Sequence, residues 1–178
     1  MTDDVAVFSC GRLTSERCKN KMVRDFGGTS LIDIFLSKLQ GVRAPKFFAG
    51  YDEIFKDKCL SNGIDFVQRT KASNDAEEAK VIYNFLADVD FKYLLSVNAC
   101  IPFLKLETIN KFLEECIQTK EPAFAVFRKN NYFMNLNNEP YNFSREMKTI
   151  NTKYVEPVKE FAHVFYFFER EYFLKNNV

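Results

Sequence analysis

Two short runs, Val5-Ala6-Val7-Phe8 and Tyr93-Leu94-Leu95-Ser96-Val97, are apolar almost throughout. A strand with one wet face alternates polar and apolar residues. A run without that alternation is covered on both faces, as the central strands of a parallel sheet are. Each run is followed by a segment with helical spacing. Over residues 30–39, Leu31, Ile32, Phe35, Leu36 and Leu39 fall on one face, with Thr29 or Ser30 as the cap. Covered strands that alternate with one-sided helices leave few arrangements open.

Carried along the chain, the pattern predicts strands over residues 5–10, 46–51, 64–68, 91–98, 124–128 and 164–168. It predicts helices over 30–39, 52–60, 75–87, 107–118 and 169–176, with Gly63 just past the second. The third helix is read as started by Ser73 and Asn74, with Glu77 and Glu78 favoured by the dipole in its first turn. Residues 130–143, rich in Asn and carrying Pro140, read as an excursion or hairpin. The expected architecture is α/β, a three-layer α/β/α, Rossmann-like, mainly parallel sheet. Residues 1–178 read as one domain without repeats or linkers.

Composition narrows the function. The 178 residues are 47% hydrophobic, enough for a sizeable core. With 25 basic and 24 acidic residues the net charge is +1, so nucleic acid is not an expected partner and any anion site must be local. No apolar run is long enough to span a bilayer. The five cysteines are odd in number, show no CxxC spacing and follow no signal peptide, so free thiols in the cytoplasm are expected.

Ligands of such sheets bind beyond the carboxyl ends of the strands. Strand one delivers the loop of residues 10–21, which carries Arg12, Arg17, Lys19 and Lys21. Strand three delivers Gln68-Arg69-Thr70-Lys71, and strand four Asn98-Ala99-Cys100. A solvated basic loop is the plain alternative for the first group. Its position between a buried strand and a helix favours a phosphate site. Arg69 is open between a base contact and a salt bridge with Asp75 or Glu78. Asn98 is open between a ligand contact and its own backbone, and Glu156 between an acceptor contact and a turn. His163 reads as a packed residue. Cys10 and Cys100 read as small buried residues rather than nucleophiles.

These residues resemble the signature of the cytidylyltransferases that activate sugars and sugar-like acids, such as CMP-sialic acid synthetases. That signature runs roughly R-x-x-S-x-R-x-P-x-K, then a variable stretch ending in F-G-G before an apolar helix. Arg12, Ser15, Arg17 and Lys21 fit it, and Arg24-Asp25-Phe26-Gly27-Gly28-Thr29-Ser30-Leu31-Ile32-Asp33 fits closely. Further segments resemble the family in order: residues 97–104, residues 139–143 with 154–158, and residues 163–173. Lys19 replaces the usual Pro, Met22 the usual Asn, and Cys100-Ile101 the usual Thr-Ser.

The resemblance implies a nucleotide-diphospho-sugar transferase type of fold. It implies transfer of CMP from CTP to a sugar acid or related small acceptor, with release of pyrophosphate. Lys21 and Arg12 would neutralise the phosphates as catalytic residues. Cys10, Gly11, Arg12, Ser15, Arg17, Lys21 and Arg69 would bind the nucleotide, and Asn98 and Glu156 the acceptor. Mg2+ and a homodimer are implied as well. The family's metal-holding aspartates have no counterpart in these 178 residues. Asp88 and Asp90, or Glu169 and Glu171, are candidates, and the ligands stay unassigned. The alternatives are a degenerate homologue that binds a nucleotide or sugar nucleotide as a partner subunit, and a nucleotidyltransferase using another base.

Overall fold

The computed structural model describes residues 4–176. The elements in chain order are β1 (Val5–Cys10), α1 (Leu31–Gln40), β2 (Lys46–Gly50), α2 (Glu53–Ser61), β3 (Asp65–Gln68), α3 (Lys71–Asp75), α4 (Ala79–Ile82), a 3-10 helix (Asn84–Asp88) and β4 (Tyr93–Val97). They continue with α5 (Leu106–Thr119), β5 (Ala123–Lys129), a 3-10 turn (Thr152–Tyr154), β6 (Val158–Glu169) and α6 (Arg170–Asn176). The chain divides into two compact units. One comprises the residues up to Ala123 and those from Val164 onward, and the other is Phe124–His163.

In the first unit the strand order is β3-β2-β1-β4-β6. β1 pairs in parallel with β2 and β4, and β2 with β3, while β6 runs antiparallel to β4. The sheet is therefore mixed and mostly parallel, as the apolar runs predict. Successive residues of a strand point to opposite faces, and helices cover both. On one face Ala6, Phe8, Phe47, Ala49 and Leu94 pack with Phe85 and Leu86 of the 3-10 helix and Phe173 of α6. On the other, Phe48 meets Phe35 of α1 at 6.3 Å and Phe55 of α2 at 5.4 Å between ring centres. Phe112 of α5 stacks on Phe165 of β6 at 4.6 Å. Three layers result.

α1 shows how local sequence starts these helices. Ser30 is extended (φ −137°), and its hydroxyl oxygen accepts from the Asp33 N–H. Ser30→Ala is expected to cost about 1 kcal/mol, read as a lower urea midpoint at unchanged slope. An unchanged midpoint would show that the cap contributes nothing.

The helix expected over residues 75–87 is not continuous. It is replaced by α3, α4 and the 3-10 helix, and Ser73 and Asn74 lie inside α3 rather than ahead of a helix. Thr70 is the cap, its hydroxyl accepting from Ser73 N at 3.1 Å. Ser73 Oγ then donates to the Ile82 carbonyl at 2.7 Å, and Ala76 is extended at ψ 157°. Side chain-to-backbone bonds of this kind compete with the helical ladder. The last strand also begins earlier than expected, at Val158 rather than at residue 164.

In the second unit β5 lies beside the opening part of β6, with Phe124 stacked on Phe161 at 4.5 Å and Lys129 paired with Glu160 at 3.2 Å. Met134 and Pro140 form an antiparallel bridge, in the stretch expected to be an excursion or hairpin. No helix among the described residues is long and apolar enough to cross a membrane.

Candidate active site

β1 ends at Cys10, and Gly11 follows it against the neighbouring strand, its N–H donating to the Ala49 carbonyl at 3.1 Å. A Cβ at Gly11 would come within 2.8 Å of Phe48 Cζ, so only glycine fits without a shift of that ring. The loop then folds on itself. The Leu13 carbonyl accepts from Ser15 N at 2.8 Å and from Asn20 N at 3.2 Å, and Leu13 N donates to Asp52 Oδ2 at 3.3 Å. The buried Met22 anchors the far end, its carbonyl accepting from Ile32 N of α1 at 3.0 Å. The Phe-Gly-Gly motif makes the turn into α1. Gly27 and Gly28 have φ of 65° and 86°, values that suit glycine.

This loop, the segment after β3 and Cys100 beyond β4 surround a cleft of about 620 Å³, within the range of small-ligand sites. It brings together Cys10, Gly11, Arg12, Ser15, Arg17, Lys21 and Arg69. Four cations, Arg12, Arg17, Lys21 and Arg69, share it with two carboxylates, Glu16 and Glu77. The balance favours an anion. Lys19 is exposed and is not part of the lining.

Arg69 is the least ordinary of the four. Its residue is 3% exposed. Nε donates to Ser73 Oγ at 3.0 Å, Nη1 to the Gly11 carbonyl at 3.4 Å and Nη2 to the Ser73 carbonyl. The guanidinium lies over the Phe85 ring at 5.9 Å. Among the described residues it has no ion pair. Asp75, one of its two expected partners, pairs with Lys71 instead. Burial pulls the guanidinium below its ordinary pKa, because desolvation opposes charge. Burial likewise pushes the Cys10 thiol and the Tyr83 hydroxyl up, so Cys10 stays protonated and suits a wall residue better than a nucleophile.

Arg12 reaches across the cleft, with Nη1 donating to the carbonyls of Asn74 at 3.3 Å and Ala76 at 3.4 Å. Asn98 is not in the lining. Its Oδ1 accepts from Cys100 N at 2.9 Å, and its own N–H donates to the Val164 carbonyl at 2.9 Å. Glu156 belongs to the second unit, where its carbonyl accepts from Asn142 Nδ2 at 2.7 Å. Among the described residues no three of His, Cys, Asp and Glu gather to hold a metal ion. Sequence reasoning missed Asn74, Glu16 and Glu77 in the wall. It also missed the sulfur contact of Cys100 with Met22, at 3.8 Å. Two of the departures from the resembled signature, Met22 and Cys100, thus meet in space, a pairing that single positions do not announce.

The fold has relatives among solved structures. The fold is similar to that of CMP:2-keto-3-deoxy-manno-octonic acid synthetase solved with CTP, with a TM-score of 0.71 at 15% identity, over 98% of this chain and 77% of that one. It is similar to 4-diphosphocytidyl-2C-methyl-D-erythritol synthase of Anaerococcus prevotii, with a TM-score of 0.67 at 11% identity, over 98% and 75%. It is also similar to a cytidylyltransferase of Leptospira borgpetersenii, with a TM-score of 0.63 at 9% identity, over 98% and 64%. Among curated sequences, human PRAME family member 19 is 27% identical over 118 residues, 66% of this chain, and the chain spans 24% of that protein. The cytidylyltransferase family profile matches residues 10–172, nearly the whole chain and all of the cleft. The chain belongs to the cytidylyltransferase family of nucleotidyltransferases.

Proposed function

We propose that this chain transfers CMP from CTP to an oxygen of a small sugar acid or related acceptor, releasing pyrophosphate. The observation that carries the reading is the cleft at the end of β1. There the cations of one loop and the buried Arg69 converge within a chain that matches the cytidylyltransferase profile over residues 10–172. The acceptor oxygen attacks the α-phosphorus as the bond to the β-phosphate oxygen breaks. The barrier falls when the groups are held in line and the phosphate charge is met by fixed cations. Lys21 supplies a mobile point charge, and Arg12 and Arg17 planar forks that span two oxygens. Ser15 and loop N–H groups add hydrogen bonds. Asn98, just past β4 in the same unit as the cleft, is the candidate for the acceptor side.

Magnesium keeps several waters and is commonly held by one or two carboxylates together with substrate phosphates. Glu16 and Glu77 are the carboxylates in the lining; they would be the residues to hold the ion beside the bound phosphates, where it would add to the neutralisation of phosphate charge. An acidic sugar acceptor is supported by the fold neighbour named for a keto-deoxy sugar acid. The five free thiols suit a reducing compartment such as the cytoplasm.

Pyrophosphate release measured with each NTP, magnesium and a panel of keto-sugar acids and sugar phosphates tests the reading. Release with CTP and one acceptor class is expected. The wall formed by Met22 and Cys100 replaces polar positions of the resembled signature and favours one second reading, a nucleotide-binding homologue without turnover. Calorimetric CTP binding without release under any acceptor would establish that reading. Absence of CTP binding would overturn both.

A further inference from the structure

Asn74 lines the cleft, yet it is only 2% exposed, and among the described residues its Oδ1 has no hydrogen-bond partner. A buried acceptor left unpaired is costly, and native structures seldom keep one without a use. The amide nitrogen is occupied: Nδ2 donates to Asp75 Oδ1 at 3.0 Å and to Thr14 Oγ1 at 3.4 Å. An ionised carboxylate only accepts. Turning the amide over would set its oxygen against the Asp75 oxygen, so the network itself settles which way Asn74 faces. Asp75 is held in turn by Lys71, and the contacts from Lys71 and Asn74 keep its carboxyl below the usual range. Asn74 therefore brings to the wall a neutral acceptor of fixed orientation, beside the cations and the two carboxylates of the lining. Phosphate oxygens, themselves acceptors, cannot satisfy it. Its partner must bring an N–H or O–H.

Resting on the reading that the ligand is CTP, we propose that Asn74 Oδ1 accepts a hydrogen bond from the exocyclic amine of cytosine, and that Asn74, locked by Asp75, rejects uracil. The donors of CTP are that amine and the ribose hydroxyls. The amine is the better match because Arg69, in the same wall, brings guanidinium N–H groups suited to the acceptor atoms on the same edge of cytosine. Uracil places a carbonyl oxygen where cytosine has its amine, so two acceptors would face each other, and the locked amide could not turn to relieve them. Such unpaired polar groups discriminate far more strongly than a lost apolar contact. The oxygen is closed to solvent, so the wall must yield to admit the base. The two bonds from Arg12 to that wall, 3.3 and 3.4 Å long, are ones that a triphosphate's charge competes with.

Calorimetric titration of the full chain with CTP, UTP, 2′-deoxy-CTP and 3′-deoxy-CTP tests this, using the native protein, Asn74→Ala and Asp75→Ala. The native chain is expected to prefer CTP to UTP. Asn74→Ala should lose about tenfold or more in CTP affinity while UTP, no longer facing the amide oxygen, holds or gains, collapsing the preference, and both deoxy analogues follow CTP. Asp75→Ala leaves the amide in place but free to turn, so UTP should gain on CTP. An unchanged CTP/UTP ratio in a folded Asn74→Ala protein overturns the assignment. So does a loss confined to nucleotides that carry a particular ribose hydroxyl. If Asn74→Ala does not fold, the exposed Asp75→Ala decides, and an unaltered ratio there overturns the proposal. A native chain that binds no CTP brings down the proposed function itself, whereas CTP binding with indifferent variants brings down this inference alone.

Discussion

Replacing Lys21 by alanine is expected to lower CTP-dependent pyrophosphate release by about a hundredfold or more, the scale seen when one preorganised charge-stabilising group is removed, while stability barely changes. The side chain is half-buried in the cleft lining, and its backbone is firmly mounted. Lys21 N donates to the Cys18 carbonyl at 3.3 Å, and the preceding Asn20 turns the chain at φ 55°. The following Met22 is 1% exposed and tied to α1. A flexible ammonium on a fixed base can follow charge as it moves from the α-phosphate to the leaving pyrophosphate. The loss should therefore fall on kcat more than on KM, since the interaction strengthens toward the transition state. Lys19→Ala is the internal control. It sits two positions earlier on the same loop but is exposed and outside the lining, so its effect should stay within about twofold of native, as for an ordinary surface charge. Equal losses in the two variants would mean that the loop acts as a diffuse basic patch rather than as a site.

What the sequence made legible follows from what local pattern encodes. β1, β2 and β4 were readable because burial on both faces leaves an apolar run, here too short for a buried helix. α1 and α5 were readable because their buried residues repeat at helical spacing. The failure between residues 71 and 88 has a specific cause. Ser73, Asn74, Glu77 and Glu78 have the composition of a helix start, but Ser73 is spent on Arg69 and Ile82, contacts that exist only once β3 has brought Arg69 alongside. The opening half of β6 was missed because Lys159, Glu160, Phe161 and His163 are exposed, and an exposed strand carries little hydrophobic pattern. The cation loop could be read from its spacing. Asn74 could not, because an amide becomes informative through what it lacks, and that appears only when its neighbours have been placed. Arg69 shows the same limit. Acidic residues nearby in sequence left a salt bridge open beside a base contact, but Asp75 pairs with Lys71, and among the described residues the buried guanidinium has no ion pair.

Phe8→Ala should be the most damaging single change to the fold, costing about 3–5 kcal/mol out of a total stability on the order of 5–15 kcal/mol. Phe8 is fully buried in the central strand. Its ring stacks on Phe47 at 5.3 Å and meets Tyr83, Phe85 and Phe168 edge-on at 6.1, 6.1 and 6.3 Å. Those rings come from β2, from the 3-10 helix and the residue before it, and from β6. Each backbone is held by its own hydrogen bonds, so none can move in to fill the space, and the void remains. The change also reaches the cleft. Phe85 underlies the Arg69 guanidinium, and Cys10 lies two residues after Phe8 at the end of the same strand, with Gly11 next beyond it. CTP affinity should therefore fall in Phe8→Ala even under conditions where the protein remains folded. Phe8→Leu keeps most of the volume and should cost less, about 1–2 kcal/mol for a hydrophobic swap of similar size, with a correspondingly smaller loss of binding. Urea unfolding of both variants, each with and without CTP, measures the two effects together. Ligand that binds only the folded state raises stability by an amount set by its affinity, so the gain with CTP should shrink from native to Leu to Ala. A stability loss in Phe8→Ala with an undiminished gain from CTP would separate the core from the site and refute the claim that the aromatic cluster supports Arg69.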